Sequence, residues 1–150
     1  MAQRRKGESD KFCVAPLRLC VILFCVALIS LSLAACEGGL QPGDVEQGKA
    51  LFNTPISSQR GPLPTCAKCH AVVEGQKSET GLGTNFHDIG TRAAKEVPGQ
   101  SAEDYLRTSI VDPDAHLAGG FQDGLMSRDY KKLITAQQIE DLVAYMLTLQ

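Results

Sequence analysis

Cys66, Ala67, Lys68, Cys69 and His70 place two thiols and an imidazole within five consecutive residues. This is the spacing for covalent haem attachment. On one helical turn, residues three apart project from the same face, so Cys66 and Cys69 point together. His70 follows directly, and its ring can reach a metal centred over the two sulfurs. The thiols can then form thioethers to a haem while the imidazole binds the iron from one side.

On these residues the chain resembles the class I monohaem c-type cytochromes. The resemblance implies an all-α, small cytochrome c fold with helices packed around one covalently bound haem c. It continues through Gly81-Leu82-Gly83-Thr84-Asn85-Phe86, where relatives carry a Gly-x-Gly-Pro-x-Leu type loop whose backbone accepts the imidazole N–H. Thr84 replaces the usual proline there. Ile89-Gly90-Thr91-Arg92 extends the match, which implies that Arg92 faces a haem propionate. Gly120-Phe121-Gln122-Asp123-Gly124-Leu125-Met126 resembles the distal-ligand loop, with Ser127 at the customary proline position. Met126 is therefore expected as the second iron ligand. Met146, His87 and His116 are the other candidates: Met146 reads as core, and both histidines read as solvated loop residues. Tyr130 is a possible second propionate contact.

Composition is that of a folded domain, with 43% hydrophobic and 21% charged residues among 150. There is no Trp, so the core is thin for the length. A buried haem would add the missing apolar volume. Six cysteines occur, at 13, 20, 25, 36, 66 and 69. Cys13, Cys20 and Cys25 lie in or just before an apolar N-terminal segment, Cys36 at its end and two in the motif, which leaves none for a disulfide scaffold.

That N-terminal segment reads as an export and anchoring device. Arg4, Arg5, Lys6, Lys11 and Arg18 precede a charge-free run from Leu19 to Ala35, the layout of a secretory signal. Leu33-Ala34-Ala35-Cys36 looks like a bacterial lipobox, so residues 1–35 are expected as a lipoprotein-type signal peptide with Cys36 the lipid anchor. An uncleaved transmembrane anchor is the alternative, and either topology puts the rest of the chain on the extracytoplasmic side. Residues 36–43 read as a flexible tether and 44–150 as the cytochrome c domain. Of the 15 Lys+Arg and 17 Asp+Glu residues, the first 35 positions hold five and two. The chain from Cys36 onward therefore has a net charge of −5, which disfavours nucleic acid and mildly favours basic protein partners.

The elements that must position the motif follow from capping and periodicity. Asp44 caps a first helix to about Asn53, with Gln47 as its reciprocal partner and Val45, Gly48 and Phe52 on one face. Gly48 inside a helix costs about 1 kcal/mol against Ala. The resemblance implies a reason: the first and last helices cross closely there, beside Phe52 and Tyr145. Ser101 starts another helix that ends before Asp112-Pro113. Thr135 and Gln138 form a capping box for the last helix, whose stripe is Ile139, Leu142, Val143 and Met146.

Three rivals use the same residues. A zinc module would pair Cys66 and Cys69 with His87 and His116, but these histidines lack the close paired spacing of zinc ligands. A thiol–disulfide oxidoreductase would need a β-α-β pattern that the chain lacks. A haem enzyme or gas sensor with an open sixth iron position is the strongest alternative. No nucleophile–base set or phosphate loop is present, so neither catalysis nor a small-molecule substrate is expected. The leading expectation is an electron carrier whose partners are redox proteins, in a respiratory or photosynthetic membrane complex.

Overall fold

Apolar residues at helical spacing, set off by capping side chains, form six helices among residues 39–59 and 61–150, those described by the computed structural model. They are α1 (Val45–Phe52), α2 (Cys66–Cys69), α3 (Ile89–Glu96), α4 (Ala102–Val111), α5 (Tyr130–Leu133) and α6 (Ala136–Leu147). The expected signal peptide, residues 1–35, and the expected lipid anchor Cys36 lie outside the described residues. No strand forms among the described residues, where a single antiparallel bridge joins Ile56 to Leu63. Nor is any described helix long and apolar enough to cross a membrane. The architecture is all-α, as expected.

The last helix is the organising element. At its start Thr135 Oγ1 accepts from the Gln138 amide at 3.2 Å, and Gln138 Oε1 accepts from the Thr135 amide at 2.8 Å. Two otherwise unpaired donors are thus satisfied reciprocally. The expected stripe of Ile139, Leu142, Val143 and Met146 is buried, with Tyr145 beside it. Against that stripe pack α1, α3 and α4. Phe52, Leu106 and Ile89 are the largest side chains fully shielded from solvent.

Helix α1 differs from expectation at two points. Asp44 caps it by accepting from the amides of Glu46 and Gln47, at 2.9 and 3.0 Å. The reciprocal half of the box is missing, because the Asp44 amide donates instead to Asp141 Oδ1 at 2.9 Å. Val45 also leaves the inner face and is 37% exposed, whereas Gly48 and Phe52 are buried.

Part of the segment expected as a tether, 36–43, is held against α6. The Gln41 amide donates to Gln137 Oε1 at 2.8 Å, and Gln137 Nε2 donates back to the Gln41 carbonyl at 3.1 Å. A Cβ on Gly43 would stand 2.1 Å from the Glu140 carbonyl oxygen. Residues 41–43 are therefore laid onto α6 and belong with the domain.

Candidate functional site

Thr65 sets up the motif turn. Its Oγ1 accepts the Lys68 amide at 3.1 Å, and the His70 amide closes the turn on the Cys66 carbonyl at 2.9 Å. The two thiols sit three residues apart on this one turn, as the spacing predicts. Burial pushes the Cys66 thiol up to about 11, so its sulfur is neutral at ordinary pH. A thioether, which carries no charge, suits that buried wall. Thr80 reaches the Cys69 sulfur at 3.4 Å.

His70 is oriented by one specific bond. Its Nδ1 lies 3.0 Å from the Thr84 carbonyl oxygen, which fixes Nδ1 as the protonated nitrogen and leaves the Nε2 lone pair free for a metal. Burial lowers the imidazole below its ordinary pKa, which also keeps it neutral. The residue at the customary proline position thus supplies the orienting carbonyl itself. Gly83 makes the approach possible: a Cβ there would stand 2.7 Å from His70 Cε1 and 2.5 Å from the Cys69 carbonyl oxygen. Phe86 stacks on the imidazole, with ring centroids 4.1 Å apart and planes 20° from parallel. Phe52 lies 6.2 Å from Phe86 and 5.4 Å from Tyr145, so aromatic contacts run from His70 to the α1–α6 crossing.

A cavity of about 470 Å³ is walled by Cys66, Cys69 and His70 on one hand and by Met126 on the other. Phe52, Leu106, Ile110, Leu142 and Met146 make most of the remaining wall apolar. The donor set fits a covalently attached haem. Two cysteine sulfurs, one neutral imidazole with a free nitrogen, and a thioether face an apolar space of cofactor size. Residues 45–150 match the cytochrome c family model. The chain belongs to the cytochrome c family. Its cofactor is covalently attached haem c, and its chemistry is electron transfer.

Within this cytochrome fold the other sequence candidates divide. Met146 is 4% exposed on α6 and contributes to both core and cavity wall. His116, expected on the solvated surface, also walls the cavity and lies edge-on to Tyr105 with centroids 5.8 Å apart. His87 does not wall the cavity; its amide donates to Asn85 Oδ1 at 2.8 Å. No group of three His, Cys, Asp or Glu side chains suited to a metal ion forms among the described residues, so the zinc arrangement is not assembled.

Both side chains expected near a haem propionate have protein partners. Arg92 does not wall the cavity. Its guanidinium donates to Asp88 Oδ1 at 2.8 Å, to Glu96 Oε1 at 2.9 Å, and to the Asn85 carbonyl. Asp88 and Glu96 lie four residues to either side of Arg92, and the bond to Asn85 ties its guanidinium to the segment that follows Thr84. Tyr130 does wall the cavity, but its hydroxyl donates to the Pro64 carbonyl at 2.9 Å and so ties α5 to the strand of chain entering the motif.

Sequence reasoning missed the roles of Gly83 and Phe86. Both stand in the loop the resemblance picks out, so their presence was visible but not their contacts.

Proposed function

We propose that this chain is a membrane-tethered monohaem cytochrome c that relays single electrons outside the cytoplasm. In this reading Cys66 and Cys69 hold the haem through thioethers, and His70 and Met126 bind the iron from opposite sides. The observation that carries the reading is that Met126, remote from the motif in sequence, walls the same cavity as His70 with its free Nε2. The haem supplies a one-electron couple when bound. A thioether ligand raises the reduction potential relative to a second imidazole. With both axial positions taken, no vacancy remains for oxygen or a small-molecule substrate.

The test is spectroscopic. Expressed with a haem-maturation system, the protein should stay red through acid–acetone extraction. The ferric form should show a near-infrared sulfur-to-iron band that is absent in Met126→Ala. Ready carbon monoxide binding by the ferrous wild type would overturn the carrier reading in favour of an open-site enzyme or sensor. The position of His116 in the cavity wall supports one second reading, histidine ligation. In that case the sulfur band is missing in the wild type and an imidazole-ligated spectrum disappears in His116→Ala.

Anchoring rests on the lipobox sequence alone. Lipid label should enter the wild type and not Cys36→Ser; equal labelling of both would reject Cys36 as the anchor. The acidic balance beyond Cys36 favours redox-protein partners with basic faces, in a respiratory or photosynthetic membrane complex. Purification in mild detergent separates a fixed subunit, which carries partners with it, from a free shuttle.

A further inference from the structure

The loop that carries Met126 has little intrinsic stiffness. Gly120 and Gly124 sit at φ +88° and +72°, and Gly119 precedes them. Glycine loses more conformational freedom on ordering than any other residue. Ser127 follows the methionine, so no proline ring fixes φ at that position. A loop of this composition needs an external hold if a weak neutral ligand is to stay at its station.

One side chain supplies that hold. Asp114 lies just beyond α4, and its side chain is only 16% exposed. Its Oδ1 accepts the Gly124 amide at 2.8 Å, while Oδ2 accepts from Arg128 Nε in a short ion pair. Ser127 Oγ then accepts the Asp129 amide at 3.2 Å, leading the chain into α5. Asp114, Gly124 and Met126 all wall the same cavity. The geometry points to Asp114 as a positioning residue for Met126, its carboxylate clasping the distal loop on both sides of the methionine.

The consequence is kinetic and thermodynamic gating of the sixth position. Each opening of the loop exposes the iron to an outside ligand, and apparent affinity for that ligand scales with the fraction of protein in the open form. A carboxylate that holds both flanks keeps the fraction low without touching the iron.

The inference rests on Met126 as the distal ligand, and the test separates the two ideas. Holo-protein is prepared as wild type, Asp114→Ala, Asp114→Asn and Arg128→Gln. Three quantities are read: the sulfur-to-iron band, ferric affinity for added imidazole, and hydrogen exchange at the Gly124 amide. Asp114→Ala should raise imidazole affinity by about tenfold or more, in step with a tenfold rise in open fraction. It should also weaken the band and speed Gly124 exchange, with exchange in α1 and α6 unchanged. Asp114→Asn keeps an acceptor for Gly124 but loses the ion pair, so it should fall between wild type and Asp114→Ala, as should Arg128→Gln. Faster Gly124 exchange with unchanged band and imidazole affinity would overturn the positioning role, as would no change in any of the three. A wild type without the band, matching Met126→Ala, would instead overturn Met126 ligation, and the positioning role with it.

Discussion

Gly48 passes so close to Asp141 that a Cβ on the glycine would stand 1.9 Å from the Asp141 carbonyl oxygen and 2.9 Å from Tyr145 Cβ. Helices α1 and α6 therefore meet backbone to backbone. Around this point Phe52 and Tyr145 meet edge to face, and the Asp44 amide reaches the Asp141 carboxylate. Through Phe86 the same cluster continues to the ring of His70. The crossing and the proximal ligand share one packing unit.

Gly48→Ala should destabilise the holo-domain. Alanine gains about 1 kcal/mol over glycine in helix propensity, but the obstructing atoms are backbone and cannot swing aside. Overpacking of this kind costs about 1–3 kcal/mol, and more where the helices must separate, so a net loss is expected. Gly48→Leu should be far worse. Chemical denaturation of the holo-protein checks both, and an unchanged midpoint for Gly48→Leu would contradict the close crossing.

Asp141 is the one buried charged side chain of the described core, 3% exposed. Its Oδ1 accepts from the Asp44 amide and, at 3.1 Å, from Gln137 Nε2. Asp141→Ala strands the Asp44 N–H and should cost about 1–3 kcal/mol. Asp141→Asn retains an acceptor and should lose much less. Equal losses in the two variants would mean that volume, and not the hydrogen bond, matters there.

What could be read from the sequence tracks how local each interaction is. The Cys66–His70 turn and the Thr135–Gln138 box close within five residues, and both form as expected. Half of the Asp44 box failed because α6, distant in sequence, competes for the same N–H. Helix α3 gives no strong signal: Asp88 makes no side-chain cap, and Gly90 sits in its first turn. Its reason is tertiary, since the Gly90 amide donates to the Leu149 carbonyl at 2.8 Å and a Cβ there would meet the Leu147 carbonyl oxygen. The partners of Arg92 are near in sequence, Asp88 just before α3 and Glu96 at its end. His116 is an exposed loop residue as expected, and only the folded loop brings its ring to the cavity wall as well.

Gly83→Ala should disturb the proximal ligand while leaving helix content intact. The new Cβ would press on His70 Cε1 and Nδ1, at 2.7 and 2.8 Å. The ring must turn away from the Thr84 carbonyl, and an imidazole without that acceptor is a poorer donor to iron. Ferrous iron then gains relative to ferric, so the reduction potential should rise. A tenfold change in that preference is about 59 mV for one electron. Potentiometric titration gives the answer, and an unchanged or lower potential would contradict the orienting role of Thr84.

The α4–α6 contact should weaken at acid pH. Arg107 donates through Nε and Nη2 to the two carboxylate oxygens of Glu140, both at 2.8 Å, and Nη1 reaches Asp104 at 2.7 Å. The Arg107 hydrogen bonds hold the Glu140 carboxyl below its ordinary value of 4.5. As pH falls past that value, the unfolded chain takes up the proton before the native one does, so stability declines. Partial exposure keeps the effect to about 1 kcal/mol or less. Glu140→Gln should lower stability at pH 7 and flatten its acid dependence below pH 4.5; an acid limb as steep as that of the wild type would count against the bridge.

Tyr130 gives the corresponding prediction at alkaline pH. Burial is the main reason that its hydroxyl is pushed up to about 12 from 10.0, with smaller contributions from Cys66 and Cys69 that vanish once both sulfurs are thioethers. Burial remains when those two contributions are gone, so the upward direction holds. Between the unfolded and native values the folded chain keeps a proton that the unfolded chain has released, so stability falls as pH rises above 10. Tyr130→Phe removes this dependence but also strands the Pro64 carbonyl, which lies beside the motif turn. It should cost about 1–3 kcal/mol at pH 7, the desolvation of one unpaired acceptor. Denaturation across pH 7 to 11 separates the two effects: the variant starts lower and runs flatter than the wild type. Parallel curves would mean that Tyr130 ionises in the native protein as it does in the unfolded chain, and that its bond to Pro64 does not shield the hydroxyl.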